Sequence, residues 1–207
     1  MGFSFIGIGT GRCGTKSLAR ILNHCKNVNV VHEGHLMPWD DPPKEDIESF
    51  IDFLVRLDGL NLKGEVSLNI LPLVPILLHR ITSLKIIHIW REKEAVVESF
   101  IRMHGKISRL HKSTVEATNF HASRVRGQMH ALAGSHQIFP TFDIEDIEQA
   151  YSHYWDFYMD EAAKIDGVYK IYAPDLLSNS ELHRMFDYLE IPIKDRKLIA
   201  ARMRVVS

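Results

Sequence analysis

A chain of 207 residues, 45% hydrophobic and 25% charged, has the composition of a folded globular protein and the length for one domain with a sizeable core. A formal net charge of −1 argues against a general nucleic-acid binder. Two cysteines, Cys13 and Cys25, make no disulfide framework, and the helix expected between them keeps them apart, which fits a reducing compartment. Met1 leads directly into an expected strand, with no basic leader and no Ser/Thr at the sixth position for a myristoylation signal. The expected setting is therefore cytoplasmic. Phe3–Ile8 reads as a short buried strand, Gly9–Gly14 as a glycine-rich turn, and Thr15–Cys25 as a helix with Leu18, Ile21, Leu22 and Cys25 on its apolar face. Strand, glycine turn and helix N-terminus together make an anion site. The first helical N–H groups have no partner within the helix, and the helix dipole favours negative charge there. Arg12 and Lys16 add positive charge to the same place.

Three readings compete for this stretch. A nucleoside-triphosphate P-loop needs Lys directly after the second glycine; here Thr15 stands between Gly14 and Lys16-Ser17, which disfavours a nucleotide kinase. Gly9, Gly11 and Gly14 match the dinucleotide fingerprint G-x-G-x-x-G, with Glu33 as its later acid, but Arg12 would crowd the pyrophosphate turn. The third reading is a resemblance. Gly11-Arg12-Cys13-Gly14-Thr15-Lys16-Ser17-Leu18 resembles the 5′-phosphosulfate loop of the sulfotransferases that use 3′-phosphoadenylyl sulfate. Lys16 stands where that family more often has Ser or Thr, and Ser17 is the candidate for the displaced hydroxyl.

Val28–His32 reads as a second strand ending at His32-Glu33-Gly34-His35. Ligands bind at the carboxyl ends of strands in an open parallel sheet, so Glu33 is the candidate general base, with His32 and His35 in reserve. The resemblance implies the same, because several sulfotransferases place a glutamate or histidine shortly after the second strand. A zinc reading fails: His32 and His35 are one residue short of H-E-x-x-H, and Gly34 breaks a helix. Asp41-Pro42 is expected to cap and open a helix that buries Ile47, Phe50, Ile51 and Leu54. Leu62–Ser67 is a short third strand, with Glu65 and Ser67 open between substrate contact and core or loop roles. Ile70–Arg80 reads as an apolar helix; its longest apolar run, Ile70–Leu78, holds Pro72 and Pro75 and is too short to span a bilayer.

Lys85–Trp90 is a buried strand closed by Arg91, followed by a helix with Val96, Phe100 and Met103 on its buried stripe. Arg91, with Ser99 eight residues on, resembles the family's 3′-phosphate motif, although Glu92-Lys93 replaces its usual Asp-Pro. Arg suits such a site because its planar fork can hold two phosphate oxygens. Residues 102–137 are rich in Arg, Lys and His with poor hydrophobic periodicity, and read either as a variable cover over the site or as a solvated loop. Ile144–Ile165 reads as a long helix turning Tyr151, Tyr154, Trp155 and Tyr158 toward the core. Val168–Tyr172 is the last strand, and Ser178–Glu181 resembles a capping box before Leu182, Met185, Phe186 and Leu189.

The expected fold is a single P-loop-like domain over residues 1–207: a three-layer α/β/α sandwich on a central parallel sheet of about five strands. The resemblance implies transfer of a sulfuryl group from 3′-phosphoadenylyl sulfate to a hydroxyl or amine of a small-molecule or carbohydrate acceptor. It implies nucleotide binding by Arg12, Cys13, Gly14, Thr15, Lys16, Ser17, Arg91 and Ser99, with Arg12 also stabilising charge on the leaving oxygen. No metal is expected, since a sulfuryl group carries less charge than a phosphoryl group. The alternatives are a P-loop nucleotide kinase-like enzyme and a non-catalytic nucleotide-binding protein of the same fold.

Overall fold

Five short segments pair side by side: β1 (Phe3–Ile8), β2 (Val28–His32), β3 (Leu62–Val66), β4 (Lys85–Trp90) and β5 (Tyr169–Tyr172). They form one sheet in the order β2-β3-β1-β4-β5, with every neighbouring pair parallel. Parallel neighbours need long crossovers, and helices supply them. These are α1 (Thr15–Leu22), α2 (Lys44–Val55), α3 (Val74–Arg80), α4 (Lys93–Leu110) and α5 (Ile147–Ala163), with α6 (Asn179–Tyr188) after the last strand. The computed structural model describes residues 2–35, 37–39, 42–110, 144 and 146–192. The expected parallel α/β architecture is present: a five-stranded sheet flanked by helices.

Burial follows strand position. The interior strand β3 is buried throughout and the central strand β1 nearly so, whereas the edge strands β2 and β5 are only partly buried, as a sheet covered on both faces requires. The chain runs outward from β1 to β2, then turns back through β3 to β4 and β5. With right-handed crossovers, α1 takes one face and the later connections take the other. The strand ends around β1 therefore open into the crevice where this fold class binds ligands.

Gly64 shows how closely the strands approach. It pairs with Phe5, and a Cβ on it would stand 2.0 Å from the Phe5 carbonyl oxygen. Only glycine fits there without moving β1.

Several boundaries differ from the sequence expectation: α1 ends at Leu22 and not at Cys25, and β3 at Val66 and not at Ser67. α2 opens at Lys44 behind an extended Pro43 (φ −54, ψ 137), not at Pro42; a residue that precedes a proline is pushed out of helical conformation. Asp41, its expected cap, lies outside the described residues. The apolar stretch from Ile70 is not one helix: a 3-10 turn covers Leu68–Leu73, and α3 begins only at Val74. Pro72 and Pro75 have no N–H to bond back to a preceding turn. α5 opens at Ile147, because Asp146 caps it by accepting the Gln149 N–H at 2.8 Å. α4 continues to Leu110, into the stretch expected to lack periodic structure; the rest of the expected cover, residues 111–137, lies outside the described residues.

His88 on β4 is 1% exposed, and neither ring nitrogen has a partner among the described residues. Burial, assisted by the nearby Lys170 charge, pushes its pKa down from 6.5 to about 4. The unfolded chain then takes up the proton first as pH falls. This contribution to stability is full above about pH 6.5 and is lost progressively toward pH 4.

Two outcomes follow for stability. Gly64→Ala is expected to lower the unfolding free energy by about 3 kcal/mol, read from urea transitions. Between pH 7 and about pH 4.5, the wild-type protein should lose about 2–3 kcal/mol more stability than His88→Leu. Parallel pH dependence in the two proteins would show that His88 is not held neutral.

Candidate functional site

The glycine turn after β1 is built from left-handed backbone. Gly11, Arg12 and Gly14 have φ of 76°, 57° and 103°, so two of the three positions suit glycine and Arg12 is held in an unfavoured conformation. Gly9 is required for space, since a Cβ there would lie 2.6 Å from the Ile89 carbonyl oxygen. Gly14 is the N-cap of α1 and offers no side-chain cap, which leaves the first N–H groups of that helix free of a capping side chain.

Helix α5 holds this turn from behind. The Tyr158 hydroxyl accepts the Gly9 N–H at 2.8 Å, and the Tyr154 hydroxyl donates to the Thr10 carbonyl at 3.0 Å. One helical turn earlier, Tyr151 stacks on Phe100 of α4, with ring centroids 4.6 Å apart. Burial raises the Tyr158 pKa well above the ordinary phenol range, so its oxygen stays protonated. The Cys13 thiol points into the core at 1% exposure, and burial pushes its pKa up to about 11. Cys13 therefore offers the site its backbone and not a thiolate.

In front of the turn lies a cleft of about 480 Å³. Gly11, Arg12, Gly14, Thr15, Lys16, His32 and Glu33 line its polar part, and Leu68, Phe100 and Met103 line the remainder. Arg12 Nε donates to Ser99 Oγ at 3.0 Å, so α4 is joined to the glycine turn across 87 residues of sequence. His32 Nε2 lies 3.2 Å from Thr15 Oγ1 and ties the end of β2 to the first residue of α1. Glu33 sits at the cleft in left-handed backbone (φ 51°), with its N–H donating to the Val66 carbonyl at 3.1 Å.

The turn after β2 is held by groups from β3 and beyond. Glu65 is fully buried; its carboxylate accepts the His35 backbone N–H at 2.9 Å and hydrogen-bonds His35 Nδ1. Burial raises the Glu65 pKa, and the contacts from His35 oppose that shift. The His35 ring lies against Phe53 and Phe50, at centroid distances of 4.6 and 5.1 Å. Ser67 donates to Asn69 Oδ1, and Asn69 Nδ2 donates to the Met37 carbonyl at 3.0 Å. Glu65 and Ser67, left open by the sequence, are thus buried braces in this structure.

The structure brings together Arg12, Gly14, Thr15, Lys16, His32 and Glu33 at one cleft, with Ser99 on Arg12. Ser17 is exposed on α1 and does not line the cleft. Arg91 stands at the end of β4, its carbonyl accepting the Trp155 Nε1–H at 3.0 Å, and is also absent from the lining. Sequence reasoning missed the tyrosine supports. Their signal was present: Tyr154 and Tyr158 recur four residues apart on a buried face, and a buried tyrosine hydroxyl usually finds a partner. Among the described residues, no helix is long and apolar enough to cross a membrane.

No protein-family model and no curated protein matches this chain. Among solved structures, it is similar to the sulfotransferase domain from the curacin biosynthetic pathway, with a TM-score of 0.51 and 13% identity over 93% of this chain and 75% of that one. At that identity the likeness is one of fold: the chain has a sulfotransferase-like fold, and function has to be argued from the site.

Proposed function

We propose that this protein is a sulfotransferase that moves a sulfuryl group from 3′-phosphoadenylyl sulfate to an acceptor hydroxyl or amine. The observation that carries this reading is the uncapped helix N-terminus behind Gly14, with Arg12 and Lys16 beside it and α4 joined to it through Ser99. The likeness in fold to a sulfotransferase domain supports the same reading.

The residues at the glycine turn fit one anionic end of such a nucleotide. The N–H groups at the start of α1, which no N-cap side chain accepts, suit a phosphate, and the exposed Arg12 and Lys16 supply countercharge. Gly14, Thr15 and Lys16 would hold the 5′-phosphate by their backbone N–H groups. Thr15 and Ser17 hydroxyls are the candidates for its remaining oxygens. Arg91, with Ser99, would take the 3′-phosphate. Bound there, 3′-phosphoadenylyl sulfate would supply the sulfuryl group, exchanging the S–O bond to its 5′-phosphate for an S–O bond to an acceptor hydroxyl or an S–N bond to an acceptor amine, with 3′-phosphoadenosine 5′-phosphate as the leaving product. Arg12 would stabilise the charge that grows on the departing oxygen, as fixed cations do in phosphoryl transfer. Glu33 would take the acceptor's proton. His32, bonded to Thr15, would keep the end of β2 in register with the turn.

Glu33 is preferred as the base on backbone grounds. A non-glycine residue in left-handed conformation costs free energy, and such strain persists where the surroundings over-determine it. Here Val66, Glu65 and Asn69 all hold the turn that begins at Glu33.

Calorimetry with 3′-phosphoadenosine 5′-phosphate, without metal, tests the reading beside ATP with magnesium and NAD. Selective binding of the first is expected, weakened about tenfold or more by Arg91→Ala and by Arg12→Ala. Preference for ATP or NAD, or no binding, would overturn it. Glu33→Gln is expected to retain nucleotide affinity while losing about a hundredfold or more in turnover. Full turnover by that variant would remove Glu33 from the role of base.

A further inference from the structure

A second cavity, of about 210 Å³, lies between the stretch after β3 and the C-terminal part of α5. Among the described residues, it shares no lining residue with the cleft at the glycine turn. Trp39, Phe157, Pro72 and Pro75 are among its apolar walls, and Glu161 and Lys164 form its polar side. The walls are fixed by their own packing. The Trp39 ring is 7% exposed and lies against Phe157 and Tyr158, at centroid distances of 6.2 and 6.0 Å. Pro72 and Pro75, on the opposite side, each have a ring that locks φ. Phe157, Glu161 and Lys164 follow one another on one face of α5 and its C-cap, at spacings of four and three residues. Glu161 therefore stands one turn from Phe157, and Lys164 stands two.

We propose that this cavity binds a small organic ammonium, an arylalkyl amine. Its size suits one ring with a short tail: it is smaller than the roughly 300–1,000 Å³ of sites for drug-sized ligands, and above the roughly 150 Å³ that takes benzene in an apolar core. Its rings suit a positive charge, because aromatic faces attract cations and indole does so most strongly. Its polar side suits the same charge. Glu161 is the nearer of the two ionic groups to the rings, and its side chain is 36% exposed against 66% for Lys164. The two already pair, three residues apart, but an exposed pair of this kind contributes little, so a ligand ammonium can take the carboxylate from Lys164 Nζ. The backbone adds to the preference. The cavity lies at the C-terminal end of a 17-residue helix that has no basic residue in its last turn, and the helix dipole there favours a cation and opposes an anion. A carboxylate ligand would meet Glu161 and the helix carbonyl ends, with the outward Lys164 as its partner.

The test is a calorimetric titration of the full chain at neutral pH with 2-phenylethylamine, and separately with its neutral and anionic counterparts, 2-phenylethanol and phenylacetate. The amine is expected to bind saturably with a Kd below about 1 mM, the alcohol about tenfold more weakly, and phenylacetate not at all. Glu161→Gln should weaken the amine about tenfold and leave the alcohol unchanged. Lys164→Gln, which removes the competing internal cation, should tighten the amine about twofold to threefold. Neither side chain is fully buried, so both variants are expected to fold. No heat from the amine at about 10 mM would overturn the proposal, as would phenylacetate binding as tightly as the amine. An unchanged amine Kd in Glu161→Gln, or an amine bound no tighter by Lys164→Gln, would do the same. Each of these outcomes leaves the sulfotransferase reading standing, since that reading rests on the other cleft.

Discussion

Two hydrogen bonds from one helix face hold the glycine turn on which the site depends. Tyr158 accepts from Gly9 and Tyr154 donates to Thr10, so consecutive backbone groups leaving β1 are satisfied from behind by α5. A buried backbone group left without a partner costs about 1–3 kcal/mol, enough to let the turn choose another path. With these groups fixed, the left-handed run at Gly11 and Arg12 points the turn outward and delivers Gly14 to the start of α1. Most other contacts at the site lean on that geometry: Ser99 reaches an Arg12 already in place, and His32 reaches a Thr15 already in place.

The sheet order explains why these elements meet. β1 lies between β3 and β4, so its turn has the end of β3 on one side and α4 on the other. From the β3 side come Leu68 and, one strand further, His32 and Glu33; from the β4 side come Ser99, Phe100 and Met103. The second polar assembly, Glu65 with His35 and Ser67 with Asn69, is buried beneath the turn after β2. It satisfies backbone groups of a loop that would otherwise be buried unpaired, and it keeps Glu33 in a conformation that glycine would adopt more readily. The same low-dielectric interior raises the Glu65 pKa and depresses that of His88, but with opposite structural consequences. Glu65 has His35 as a partner and can act as a brace; His88 has none among the described residues and is carried as a neutral ring.

Much of the architecture was legible because it is written in local pattern. Buried strands show as mostly apolar runs such as Ile86–Trp90, interrupted by His88, and the glycine turn shows as glycines between a strand and a helical period. Where local reading failed, a competing local rule had been missed. Pro43 moved the start of α2, Pro72 and Pro75 split the stretch after β3, and Asp146 capped α5 later than its hydrophobic pattern suggested.

By itself the sequence determined the parallel α/β class, the position of the glycine turn and the residue types available to it, because strand runs, left-handed glycines and helix starts depend on neighbours within a few residues. Only the tertiary structure decided which distant groups complete the site. Tyr158 lies 149 residues from Gly9, Ser99 lies 87 from Arg12, and Glu65 lies 30 from His35. The crossover path between parallel strands sets such pairings, and no residue's own propensity encodes its partner at that range. The same holds for the apolar wall: Phe100 and Met103 read as ordinary core positions of an amphipathic helix until α4 is laid across the turn, where that face also lines the cleft.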